Sequence, residues 1–166
     1  VLTFLGLFIV GVVVSGLAGT VHDQMQASRR REAQTAALYA LSRDLTNQLD
    51  LTGILQTVLN QVQLSFGRQA AILLPASGRI SIQAASPGFE LDPASLPAAE
   101  WSFRRGQPSG SGTSTMTGIP VRFQPLLSGQ TSIGVLAIHL DEPLTLLPEQ
   151  RQLLEAYCGL AALAIE

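Results

Sequence analysis

The ten residues TSIGVLAIHL, 131–140, decide the fold. Alternation along a strand sets Ile133, Val135 and Ala137 on one side and Leu136, Ile138 and Leu140 on the other. A strand that is apolar on both sides has to be covered on both, so this segment predicts a central strand of a layered sheet. Upstream of it, Ser128 and Gly129 make a turn, and Ile119, Val121 and Phe123 alternate as a further strand. Earlier still, the apolar run Ala70 to Leu74 is ended by Pro75. After a turn at Ser77 and Gly78, Ile80, Ile82 and Ala84 alternate with polar residues, which predicts a hairpin.

Helical periodicity frames these strands. From Glu32 to Leu49, the residues Leu38, Leu41, Leu45 and Leu49 form a narrow apolar stripe that could pack on a sheet or pair with a second copy. Asp50 and Thr52 offer a break and an N-cap. Leu55, Val58, Leu59, Val62 and Phe66 make the apolar face of a second helix, with Gly67 as its stop. Residues 94–106 form a short helix carrying Leu96, Trp101 and Phe103 and ending at Gly106. Pro148 and Glu149 suit the first turn of a last helix, with Leu153, Tyr157, Leu160 and Ala164 in its stripe. Leu147 stands where a polar cap is expected. The loops are 86–93 (SPGFELDP) and 107–118 (QPSGSGTSTMTG).

The order α-α-β-β-α-β-β-α with short strand links predicts an α/β (α+β) fold with an antiparallel sheet. The first, second and last helices can cover one face. The other face is left to the mid-chain helix and loops, where a pocket could form. Trp101, Phe103 and Met116 are candidates for its lining; the alternative is that they only fill the core.

Val1 to Val21 contains no ionisable side chain. At about 1.5 Å per residue it reaches roughly 30 Å, the thickness of a bilayer core, and predicts one transmembrane helix. Gly11, Ser15 and Gly19 recur every fourth position and could admit a close helix neighbour. Arg29, Arg30 and Arg31 follow, and positive charge beside a span marks the cytoplasmic side. The cluster is read as a topology anchor on anionic lipid, with a role in tuning signals as the sharper reading. The expected organisation is a span at 1–21, a connector at 22–32 and one domain at 33–166. Val1 opens inside an apolar run and Glu166 sits inside a helical pattern, so the sequence reads as an excerpt whose last helix continues.

The 166 residues carry a net charge of −2, and all ten basic residues are arginine. That balance supplies no basic field for nucleic acid. The single cysteine, Cys158, excludes an internal disulfide or a multi-cysteine metal site and reads as a small buried hydrophobe. His22 reads as an interfacial polar residue and His139 as a hydrogen-bonded structural histidine within the central strand. No metal, cofactor or catalytic set can be nominated from these residues. The glycine-rich stretch from Gly110 lacks the lysine of a phosphate-binding loop, and Thr115 stands where a dinucleotide fingerprint needs glycine.

Three blocks carry a resemblance: RREAQTAALYALSRDL (30–45), AEWSFRRGQPSGSGTSTMTG (99–118), and SIGVLAIHL (132–140) followed by LLPEQRQLLEAYCGLAALAIE (146–166). Together they resemble the segment from the last membrane helix through the following domain of KdpD-type sensor histidine kinases. The resemblance implies a GAF-like fold for 33–166, and an arginine cluster at Arg29 to Arg31 that matters for sensing. It also implies a bacterial inner-membrane parent, dimeric through the flanking helices, that responds to potassium limitation or osmotic stress and phosphorylates a response regulator. The family's phosphoacceptor histidine motif and ATP-binding domain are missing from these residues. The chain is therefore expected to be a sensory and transmission module, not itself an enzyme. A small-molecule-binding domain and a structural dimerisation spacer are the alternatives.

Overall fold

The computed structural model describes residues 28–48, 50–140 and 146–166. The expected span at 1–21, Leu49 of the first stripe, and His22 lie outside the described residues. Among the described residues, no helix is long and apolar enough to cross a membrane. The chain divides into two compact units, 1–36 and 37–166. In the first, residues 28–36 are helical, Arg29, Arg30 and Arg31 are exposed, and the Thr35 hydroxyl donates to the Arg31 carbonyl at 2.9 Å.

Helix α1, residues 28–46, continues into the second unit. There it is followed by α2 (Leu51–Phe66), β1 (Ala70–Ala76), β2 (Arg79–Ala85), a 3-10 turn (Pro93–Ser95) and α3 (Leu96–Arg105). After these come β3 (Ser109–Gly110), β4 (Val121–Ser128), β5 (Thr131–His139) and α4 (Pro148–Ile165). The strands form one antiparallel sheet in the order β2-β1-β5-β4-β3. The central position of β5 agrees with its two apolar faces.

Local signals account for the helix boundaries. The Asp50 carboxylate accepts from the Gly53 amide at 3.2 Å, satisfying one of the free N–H groups that open α2. Gly67 and Gly106 close α2 and α3 with positive φ, where a β-carbon would be strained. At α4, Leu147 caps nothing with its side chain. Its backbone N–H donates instead to Oε1 of Gln150 at 3.0 Å, the reciprocal half of a capping box.

Two cores lie on the two faces of the sheet. One joins Leu41 and Leu45 of α1, the α2 face from Leu55 to Val62, Ile72 and Leu74 of β1, Leu136 and Ile138 of β5, and Leu154, Tyr157 and Cys158 of α4. The other joins Leu73, Ile80, Val121, Phe123, Val135 and Ala137 to Ala98 and Ala99 of α3. The first, second and last helices thus share one face, and α3 takes the other.

The alternation expected along two strands is broken by bulges. Leu126 pairs with Gly134 and Leu127 with Ser132, so Ile133 is an extra residue in β5. Ile133 consequently packs against the helix-covered core, not beside Val135 and Ala137. In the hairpin, Ile72 pairs with Ala84 and Leu73 with Ile82, which makes Gln83 the extra residue. Ile80 and Ala84 then fall in opposite cores, and Ile82 is 43% exposed. One added residue reverses the facing of everything beyond it, and periodicity alone carries no sign of it.

Three further boundaries differ. Strand β1 runs through Pro75, because β5 pairs with β1 only as far as Leu73 and leaves that edge open. Ser109 and Gly110, expected in a loop, pair with Phe123 and Arg122 as a short edge strand. The buried face of α4 is centred on Leu154, Tyr157, Cys158 and Ala161, with Leu153, Leu160 and Ala164 at its margin. A helix wedged between a sheet and other helices buries an arc wider than one stripe.

Gly134 sits where β1, β4 and β5 meet. A β-carbon there would lie 2.8 Å from the Leu73 carbonyl oxygen and 2.5 Å from a Leu74 methyl. Gly134→Ala is expected to cost about 1–3 kcal/mol in chemical denaturation. Gly159→Ala, on the exposed side of α4 with open space around it, is expected to stabilise by about 0.5–1 kcal/mol.

Candidate functional site

An open-mouthed recess of about 560 Å³ lies where the loop after β2 meets the start of β4 and the end of β5. Gly88, Glu90, Leu91 and Asp92 form one wall. Pro93 and Ser95 of the 3-10 turn, Pro120 and Val121, and Gln69 with His139 complete it. Its volume falls within the usual range for small-molecule sites.

His139 holds this wall in place. Its Nε2 lies 3.1 Å from the Glu90 carbonyl oxygen. Its ring stands edge-on to Phe89, with centroids 5.1 Å apart. The hydrogen-bonded histidine expected in the central strand is therefore found, and its role is to dock a loop. Asp92 caps the 3-10 turn by accepting from the Ala94 amide at 2.9 Å. Gln69 donates its amide to the Pro87 carbonyl at 3.3 Å. The 86–95 loop is thus held at Pro87 by Gln69 and at Glu90 by His139.

The three candidates for a pocket lining, or alternatively for core filling, lie outside this recess. Trp101 is half-buried on α3. Phe103 packs against the core beneath α3. Met116 is 40% exposed on the loop before β4, in a left-handed backbone conformation. None of them lines the recess. Trp101 and Phe103 belong to the predicted mid-chain helix and Met116 to the predicted loop after it. The recess is instead built by a loop whose position depends on a contact 49 residues away in the chain.

The glycine-rich segment from Gly110 closes on itself. The Gly110 amide donates to the Thr115 carbonyl at 2.9 Å, the Ser111 amide to Val121 at 3.0 Å, and the Thr113 amide to Gly110 at 3.2 Å. The Thr113 hydroxyl lies 2.7 Å from the Gly110 carbonyl and 2.8 Å from that of Thr115. It also accepts from the Thr115 amide at 3.2 Å. These amides are engaged within the loop and with β4, so they do not form a cradle for phosphate. Gly110 is required on steric grounds: a β-carbon would run into the Val121 carbonyl.

Arg122 was not singled out in the sequence, yet it is 3% exposed on β4. One terminal nitrogen donates to the Gly112 carbonyl and the other to Oε1 of Gln124, both at 3.2 Å. Among the described residues, its Nε has no hydrogen-bond partner. Burial is the largest effect lowering its basicity, and repulsion from Arg151 adds to it; Glu155 on α4 and Cys158 act in the opposite sense. The charge ties the glycine-rich loop to the face on which α4 packs. Its only sequence signal was an arginine within an alternating strand.

Cys158 is buried in the same core, and burial pushes its thiol well above the ordinary range. Among the described residues, no group of three or more His, Cys, Asp or Glu is gathered to hold a metal.

A family model described as GAF domain matches residues 50–166. The sensor protein KdpD of Escherichia coli K12 is 33% identical over 166 residues, covering 99% of this chain and 18% of that protein. KdpD of Clostridium acetobutylicum is 23% identical over 172 residues, covering 99% of this chain and 19% of that protein. The chain thus spans about a fifth of the length of these curated relatives. The crystal structure of the native GAF domain of the potassium sensor histidine kinase KdpD from Escherichia coli aligns with a TM-score of 0.68 and 30% identity. It covers 79% of this chain and 92% of that one.

Two outcomes follow from these buried groups. Arg122→Met is expected to leave global stability within about 2 kcal/mol, since lost hydrogen bonds and relieved desolvation oppose each other. It should nevertheless speed amide exchange across 110–115, read by hydrogen exchange. For Cys158, the folded thiol's acidity is suppressed relative to the unfolded one. Its contribution to stability is therefore complete below the ordinary thiol value of 9.0 and is lost as pH rises beyond it. Denaturation at pH 8 to 10.5 should show a decline steeper than that of Cys158→Ala, by at most about 1.4 kcal/mol per pH unit.

Proposed function

Because the chain belongs to the GAF domain family, we propose that it is the sensory and signal-transmission module of a membrane-bound two-component sensor histidine kinase of the KdpD type. Potassium limitation or osmotic stress is the proposed stimulus. The observation that carries this reading is the pairing of a GAF fold with 30% identity to the corresponding domain of a potassium sensor kinase. The domain has the build of a relay. Residues of α1 and α4 share one core with β1, β4 and β5, so α4 cannot turn or slide without repacking against α1, α2 and the sheet. A domain packed this way favours discrete arrangements over continuous deformation, which suits a two-state bias.

In this reading the module sits at the bacterial inner membrane, with 22–166 cytoplasmic. Arg29, Arg30 and Arg31 lie against anionic lipid, two copies pair through the flanking helices, and α4 leads toward the kinase core. That core belongs to the parent protein, and the response regulator it phosphorylates is the parent's partner. Tyr39 on α1 is 70% exposed and Leu163 on α4 is 72% exposed, which leaves apolar groups for a second copy. A second reading, a domain with its own cytoplasmic ligand, is favoured by the recess beside His139.

The test uses single cysteines at Tyr39 and Leu163 in the full-length parent kinase carrying Cys158→Ala. Disulfide cross-linking between copies should change in yield between potassium-limited and potassium-replete membranes. An identical pattern under both conditions, with kinase activity still responding, would remove transmission through these helices.

A further inference from the structure

The polar groups around the recess are one-sided in what they have left to offer. Gln69 has its amide N–H on the Pro87 carbonyl, which leaves Oε1 as an acceptor. His139 faces a carbonyl oxygen that can only accept, so Nε2 carries the hydrogen and Nδ1 keeps a lone pair in the neutral ring. Asp92 uses Oδ1 on the Ala94 amide. Among the described residues that line the recess, the charged side chains are Glu90 and Asp92, and neither lysine nor arginine is present. Leu91 and Val121 add an apolar wall.

We propose that this recess binds a small aliphatic amine or guanidinium compound. Its cationic end is taken by Glu90 and Asp92, its N–H groups by the acceptors of Gln69 and His139, and its alkyl part by Leu91 and Val121. An anion or nucleotide phosphate would meet two carboxylates with no opposing cation. The glycine-rich loop does not line the recess, and its Gly110, Ser111 and Thr113 amides are engaged at Thr115, Val121 and Gly110. Phe123, Val135 and Ala137 pack in the core beneath α3, and the recess lies beside that core. The proposal rests on reading the domain as a receptor, and the experiment separates the two.

Thermal unfolding and titration calorimetry of the full chain in neutral detergent, at matched ionic strength, would compare spermidine and agmatine with acetate and cyclic AMP. The expected result is saturable binding of an amine with a rise in Tm. At least a tenfold loss of affinity is expected in the double variant Glu90→Gln, Asp92→Asn. Asparagine can still cap the 3-10 turn, so this variant keeps its fold. Glu155→Gln, which removes a carboxylate from the exposed side of α4, should bind like the wild type and excludes general attraction to a negative surface. Amine binding that survives the double substitution overturns the proposal. Binding of cyclic AMP or acetate in place of the amines overturns the amine class and leaves the receptor reading standing. Binding of none of the four probes overturns the amine proposal and leaves the relay reading as the one supported.

Discussion

Strand β5 is hydrogen-bonded on both edges, by β1 and by β4, and buried on both faces. Every other element takes its position from that constraint. Its Leu136 and Ile138 require a layer of helices, and its Val135 and Ala137 require α3. Its middle is held close to its neighbours by Gly134, and its end presents His139 to the loop that walls the recess. Covering both faces of such a strand removes from water more apolar surface than any one helix could.

The two layers so created differ in character. The helix-covered layer is continuous, running from Leu41 through Val58 and Ile138 to Tyr157. Tyr157 adds a hydroxyl contact of 2.6 Å with Ser65 and an edge-on contact with Phe66, locking α4 to α2. The opposite layer is thinner, with one short helix and two long loops. Loops held by a rigid sheet commonly carry binding residues, and the recess lies where such a loop meets the ends of β4 and β5.

Arg122 crosses that division. It pins the carbonyl of Gly112 while lying beneath α4, near Arg151 and Glu155. A buried guanidinium with one nitrogen unpartnered is costly to keep. Gln124, directly along the same strand face, carries part of the compensation. The loop at Gly110, which could be mistaken for a phosphate cradle, is on this account a structural clasp closed by Thr113.

The sequence by itself determined the element order, the antiparallel sheet, the central place of 131–139, and the stops at Gly67 and Gly106. Each depends on local periodicity or on a backbone conformation that one residue type tolerates. It was silent on the bulges at Gln83 and Ile133 and on the edge strand at Ser109, and it centred the apolar stripe of α4 beside its innermost face, because each is set by a partner strand or helix. The site was less legible than the fold. Trp101, Phe103 and Met116 offer apolar side chains for a lining or for the core, whereas the recess comes from Glu90, Asp92 and His139, whose meeting is decided by how one loop folds back over the sheet. Periodicity reports which side of an element is apolar; only tertiary packing decides which polar groups end up facing the same empty space, because that depends on distances between residues far apart in the chain.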